Sequence, residues 1–220
     1  MSTIGELISD LAHPSRQVSQ AAQLALISLG SEAVEPLLDQ LPHSDVKLSY
    51  EIINMLAKIR DPRAVPVVSE YLFADHSAVR LAAAECLGMI GHQRATIPLL
   101  NALKESAHSG VQLWIVQALG RIADNRSFDT LLSVMQSADS PAVRYTAIEA
   151  LGLIGDRRAI EPIKSYLNDA SQHVRSRVEA ALKRLGEGQP DLPGHPGTIP
   201  NVIDPQSETL IKSTSATGDD

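Results

Sequence analysis

A chain of 220 residues with 44% hydrophobic and 20% charged residues has the material for one folded body. Its formal net charge of -7 excludes a dominant nucleic-acid surface, because affinity for DNA or RNA comes mainly from Lys and Arg neutralising phosphates. The single cysteine, Cys86, excludes an intramolecular disulfide framework, and no apolar run approaches the roughly 18 residues needed to cross a bilayer. Together with an N-terminus that lacks a basic region followed by an apolar stretch, this predicts a soluble cytoplasmic protein.

In chain order, a lone helix is predicted near Thr3–Leu11, followed by five helix pairs at about residues 16–41, 46–73, 77–104, 108–136 and 141–168, and a last single helix near 172–185. The pairs rest on a phrase that begins at Val18, Leu48, Val79, Val111, Val143 and Val174, at spacings of 30, 31, 32, 32 and 31 residues. Each start is followed eight positions later by leucine: Leu26, Leu56, Leu87, Leu119, Leu151 and Leu182. A period of this length is the mark of stacked two-helix units, so the fold class is all-α, an α-solenoid with the two single helices as caps. Aromatics are only 3% of the chain, and the Ala, Leu, Ile and Val that remain suit close helix crossings. Pro36, Pro98 and Pro162 fall in the first turn of a second helix, where the missing N–H costs nothing. The solenoid domain spans residues 1–186; from 187 to 220 the Pro-, Gly- and Ser-rich acidic composition predicts a flexible tail, whose Ile199–Ile203 and Leu210-Ile211 segments could dock back on the solenoid.

Counting columns from each repeat start as zero, a helical wheel places columns 0, 4, 7, 8 and 11 of the first helix on the core and columns 3, 6 and 10 toward solvent. Cys86 falls in column 7 among Ala25, Met55, Ala118, Ala150 and Ala181, which makes it a core thiol. The paired glycines Gly88 and Gly91, and Gly152 and Gly155, fit close helix contact and turn geometry. Arg80, Arg144 and Arg175 in column 1 and Asp61, Asp124 and Asp156 in the turn predict a ladder of opposite charges that holds the repeats in register.

The phrases Val79-Arg80 … Ala84-Glu85-Cys86-Leu87-Gly88-Met89-Ile90-Gly91 and Val143-Arg144 … Glu149-Ala150-Leu151-Gly152-Leu153-Ile154-Gly155-Asp156-Arg157-Arg158-Ala159-Ile160-Glu161-Pro162 resemble the HEAT-like repeats of cyanobacterial phycobilin lyases, over roughly residues 1–186. That family includes two-subunit enzymes that attach bilins to phycobiliproteins, proteins of phycobilisome breakdown and adaptors for iron-sulfur assembly. The resemblance therefore implies a scaffold or adaptor for a phycobiliprotein. Its alternatives are a bilin lyase or bilin-detaching subunit, holding phycocyanobilin or another tetrapyrrole beside a second HEAT subunit, and an iron-sulfur adaptor. In none of these does this chain supply a catalytic residue.

Two surfaces are candidates for contact. The first is an apolar spot around Trp114, predicted exposed, with Gln117 and Arg121 beside it and Met89 and Leu153 from adjacent repeats; Trp flanked by Met and Arg has hot-spot composition. The second is the face of the second helices, expected to line the concave side, with Glu35, Asp39, Glu70, Phe73, Asn101, Lys104, Asp129 and Glu161. Five acids against one base would draw a basic or amphipathic partner, unless the face is merely solvated. Tyr71 and Tyr166 border it and would either stack on a planar ligand or complete the core. His13, His43, His76, His108 and His173 form a row along successive loops, at a spacing too wide for one metal ion to bridge, so no metal site is expected.

Overall fold

A computed structural model describes residues 2–105 and 109–186, which belong to one compact unit. The order is α1 (Ile4–Asp10), α2 (Arg16–Leu29), α3 (Val34–Gln40), α4 (Val46–Ile59), α5 (Val65–Glu70), α6 (Ser77–Ile90), α7 (Thr96–Glu105), α8 (Ser109–Ile122), α9 (Phe128–Ser137), α10 (Pro141–Ile154), α11 (Ile160–Lys164) and α12 (Gln172–Arg184). Among the described residues there is no strand, and the repeated first helices (α2, α4, α6, α8, α10, α12) alternate with second helices as the period requires: an all-α solenoid. The predicted tail, residues 187–220, and His108 lie outside the described residues.

The second helices are shorter than a single uninterrupted helix per repeat. Each opens with a 3-10 turn, at Gly30–Ala33, Pro62–Ala64, Gln93–Ala95, Asn125–Ser127 and Arg157–Ala159. In all but the first, a side chain at the residue before the turn sets this up. Asp61, Asp124 and Asp156 accept the backbone N–H two residues on at 2.9, 3.0 and 2.9 Å, and His92 does the same through Nδ1 at 3.2 Å. Capping of this kind satisfies a donor that the helix start leaves over. At the N-terminal end, Thr3 and Glu6 form a reciprocal capping box on α1.

Core columns 4 and 8 are buried in every repeat, Leu26, Leu56, Leu87, Leu119 and Leu151 completely, and Cys86 is buried as expected, its thiol pushed far up by desolvation and by the nearby Glu85. One core column escapes the wheel of a lone helix. Ile53, Ala84, Val116 and Ile148, all in column 5, are fully buried. They face a neighbouring first helix, a side that an isolated amphipathic helix would leave wet.

Column 9 explains how close those neighbours come. An added Cβ on Gly88 would lie 2.8 Å from Ala118 Cα, on Gly120 2.8 Å from Ala150 Cβ and on Gly152 2.9 Å from Ala181 Cβ. First helices α6, α8, α10 and α12 thus touch backbone to backbone, glycine in column 9 against alanine in column 7. The α2–α4 seam is different, because its column 9 is Ile27 and its column 5 is Gln23. There the helices meet through polar bonds, Gln23 Nε2 to Glu51 Oε2 at 3.5 Å and Lys58 Nζ to Gln23 Oε1 at 3.3 Å, and Leu24 stands 70% exposed.

The charge ladder is built otherwise than its spacing suggests. The column-1 arginines do not pair with the turn aspartates. Each donates from Nη1 to two carbonyls of the loop just before its own helix: Arg80 to Ala74 and Asp75, Arg144 to Ala138 and Asp139, Arg175 to Asp169 and Ala170, all at 2.7–3.1 Å. The aspartates pair instead with the arginine two residues on, Asp61 with Arg63, Asp124 with Arg126 and Asp156 with Arg158. Two of those arginines reach the preceding repeat, Arg63 Nη2 to the Ser31 carbonyl and Arg126 Nη2 to the Gln93 carbonyl, both at 2.8 Å. Register is therefore held by arginine on backbone, with the carboxylate as the strut.

This arrangement makes the fold acid-sensitive. The Arg63 and Arg158 guanidinium groups hold Asp61 and Asp156 below the usual carboxylate range. For Asp124, burial works upward, but Arg126 and the Thr96 hydroxyl outweigh it and the pKa is again lowered. A lowered folded-state pKa contributes stability that is complete above the unfolded value of about 3.9 and is lost as pH falls through the lowered value. Urea midpoints are expected to hold from neutrality down to about pH 4 and to drop below it. Asp124→Ala should lower stability by about 1–3 kcal/mol at neutral pH and flatten the acid limb.

The first helices end in the left-handed region where a repeat supplies glycine, at Gly91 (φ 70°) and Gly155 (φ 78°). The equivalent places in the second and fourth repeats hold Arg60 (φ 60°) and Ala123 (φ 53°) in the same conformation. Since a Cβ there is strained, Ala123→Gly is expected to raise stability by about 1 kcal/mol, readable as a higher melting temperature.

Candidate functional site

Successive first helices meet at glycine, whereas successive second helices join chiefly through the 3-10 turns that separate them. The first-helix row is thus the more tightly packed of the two, and the second-helix residues expected to line a concave side lie on the looser row.

The second-helix residues Glu35, Asp39, Glu70, Phe73, Asn101, Lys104, Asp129 and Glu161 are all exposed, and part of that face is already paired. Glu35 is paired with Arg63 at 3.1 Å and Glu161 with Lys164 at 2.9 Å, and Arg158, its pKa raised chiefly by its bond to Asp156 and also by the charge of Asp129, stacks 4.3 Å above the Phe128 ring. Turn arginines, invisible in a wheel of the second helix alone, thus reach the acids Glu35 and Asp129. Tyr71 and Tyr166 both pack against the core, and the Tyr166 hydroxyl donates to the Met135 carbonyl at 3.2 Å. Of the two openings the sequence left, core completion is the one these rings take. Desolvation, with the charge of Glu70 beside it, pushes the Tyr71 hydroxyl up.

On the first-helix face, Trp114 is not exposed. It is half-buried and packed on the core, and its column is closed in the two adjacent repeats, where Ala82 is 3% and Thr146 7% accessible, but open at Ala21 and Arg177 toward the ends of the stack. Column 3 points at the preceding first helix, so the stack covers what a single helix would expose. Columns 6 and 10 do face solvent. Gln117 and Arg121 are exposed, while Met89 and Leu153 are half-buried beside them. At the C-terminal end Arg177 lies over the Tyr145 ring at 6.0 Å and bonds Glu149 at 3.3 Å. Beside these residues Leu81, Trp114 and Tyr145 pack on the core, which the wheel did not show.

The loop histidines have local duties. His13 Nδ1 accepts from the Ser15 N–H at 3.0 Å, and His173 lies beside Tyr145 with ring centroids 6.4 Å apart. Among the described residues no helix is long and apolar enough to cross a membrane, and no three His, Cys, Asp or Glu side chains gather as a metal group.

Comparisons with known proteins bear on the fold. A designed armadillo repeat protein is 18% identical and superposes with a TM-score of 0.56 over 83% of this chain and 100% of its own. An engineered protein is 21% identical, with a TM-score of 0.55 over 86% and 98%. The complex of CpcE and CpcF of phycocyanin lyase from a Nostoc species matches at 28% identity over 81% of this chain and 96% of that chain, with a TM-score of 0.45. No curated protein matches the chain. The model for HEAT repeats matches residues 34–119 and 97–183, the stretch that carries the glycine seams and the turn aspartates. The chain belongs to the HEAT-repeat proteins.

Proposed function

We propose that this chain is a protein-docking scaffold whose working surface is the solvent-facing lane of the first helices. One contrast carries the reading. The repeated charges of the turns are consumed in holding the stack, whereas the lane of columns 6 and 10 presents Gln117, Arg121, Met89 and Leu153 to solvent, and Arg121 makes no hydrogen bond or ion pair with another described residue. Half-buried apolar side chains beside free polar ones are the composition of a contact surface. Affinity capture from a lysate of the source cells tests it, comparing the intact protein with Leu153→Asp and with Asp39→Arg on the second-helix row. A partner held by the intact protein and by Asp39→Arg but lost from Leu153→Asp supports the lane; equal retention by all three overturns it.

The finer reading names the partner. The resemblance of the Val79–Gly91 and Val143–Pro162 phrases to phycobilin-lyase repeats favours a phycobiliprotein, docked by this chain as an adaptor for the phycobilisome. In a second reading this chain is one subunit of a bilin lyase or bilin-detaching pair and orients a tetrapyrrole such as phycocyanobilin for attack by the partner's cysteine. Mixing the protein with phycocyanobilin separates the two. A shifted visible absorbance supports bilin handling, unaltered spectra with phycobiliprotein subunits captured support the adaptor, and neither result removes the pigment link, leaving an adaptor for another client such as an iron-sulfur assembly protein.

A further inference from the structure

The first-helix lane has a period twice that of the repeat itself. Column 6 reads Asn54, Glu85, Gln117 and Glu149, and column 10 reads Lys58, Met89, Arg121, Leu153 and Arg184. Repeats 2 and 4 thus pair an amide with a cation, and repeats 3 and 5 pair a carboxylate with an aliphatic side chain. The cations recur every second repeat, on α4, α8 and α12. All three are exposed. Lys58 has only the neutral Gln23 amide as partner, at 3.3 Å, and neither Arg121 nor Arg184 is bonded to another described residue. The carboxylates between them are half-buried, and Glu149 is already engaged by Arg177. The charge left over along the lane is therefore positive, on a protein whose net charge is -7.

From this pattern we infer that the lane binds an acidic segment of a partner protein in the extended polyproline-II form, whose three residues per turn bring every third side chain to one face, with an acidic residue about every sixth position and an apolar residue midway between. The inference rests on the docking role of the lane given above. The spacing follows from the stack. Neighbouring helices lie about 8–10 Å apart, so cations two repeats apart are about 16–20 Å apart, and a polyproline-II chain covers that in about five to six residues at about 3.1 Å each. The same register sets an apolar side chain of the segment over Met89 and Leu153. Column 6 argues for an extended segment rather than a helix. In repeats 2 to 5 it presents an amide or carboxylate once per repeat, roughly every third residue of the segment, and only an unpaired backbone has N–H and C=O groups free to meet it. A helical segment keeps those groups to itself.

The test uses the full chain and a fluorescein-labelled peptide of roughly 18 residues, Ser- and Thr-rich, with aspartate at every sixth position and leucine midway between. Anisotropy is expected to saturate, with affinity falling as salt rises, and the fluorescence of Trp114, one turn before Gln117 and the only tryptophan, should change in parallel. The same peptide with lysine for aspartate should bind at least ~10-fold more weakly. Arg121→Glu should weaken the aspartate peptide at least ~10-fold, and Lys104→Glu, on the second-helix row, should leave it unchanged. Equal binding of the two peptides, insensitivity to Arg121→Glu, or no saturation by ~1 mM overturns the inference. If the peptide fails while Leu153→Asp still abolishes capture of the natural partner, only the acidic chemistry falls. If Leu153→Asp also leaves capture intact, the lane itself is wrong.

Discussion

Leu119→Ala is expected to lower stability by about 2–5 kcal/mol, the largest loss from any single truncation considered. Leu119 is completely buried in column 8 of α8, at the centre of the stack, so its removal leaves a cavity with packed helices on both sides. Each repeat contacts only its neighbours, and a weakened central repeat uncouples the two ends of the array. Urea unfolding should therefore show an earlier midpoint and a broader transition. Trp114→Ala provides the comparison. A solvent-facing tryptophan would leave the midpoint where it was, but the ring is half-buried on the core, and a loss smaller than that of Leu119→Ala yet clearly measurable is expected. An unchanged midpoint for Trp114→Ala would restore the exposed orientation and contradict the packing described.

Gly120→Ala is the second large effect, and its sign is the informative part. In a helix interior alanine is ordinarily better than glycine by about 0.5–1 kcal/mol. Here the new Cβ would sit 2.8 Å from Ala150 Cβ and 2.9 Å from Ala150 Cα, neither of which can swing aside without moving α10. The expected result is a net destabilisation of about 1–3 kcal/mol from overpacking. Gly110 lies on the same helix with nothing within 4 Å of its Cβ position, so Gly110→Ala should follow helix propensity and be neutral or stabilising. If both substitutions stabilise, the first helices are not in backbone contact, and the tighter packing of their row fails with it.

Most of the architecture was legible because it depends on local periodicity. Val79 to Leu87 or Val143 to Leu151 specifies one helix face without reference to anything distant. Gly91 and Gly155 announce a left-handed cap by residue type, although Arg60 and Ala123 show that the backbone takes that conformation even where the residue resists it. The site was less legible. Gln117 and Arg121 were identified as exposed, and they are. Trp114 was misplaced because a wheel describes one helix in water, and column 3 is covered by the helix of the preceding repeat. The charges of the second-helix face were read as unpaired for a similar reason: Arg63 reaches Glu35 from a turn 28 residues further along the chain.

The sequence by itself determined that the protein is helical, where each helix pair lies, and which columns hold most of the core, since these follow from side-chain period, caps and turn residues within about four positions of one another. Only the tertiary structure decided which row packs backbone to backbone, which charges are consumed and which are free. Those properties belong to the seams between repeats, where a glycine admits a neighbour's alanine and an arginine finds a carbonyl one repeat away. A helix-by-helix reading has no access to the surface that the neighbour covers.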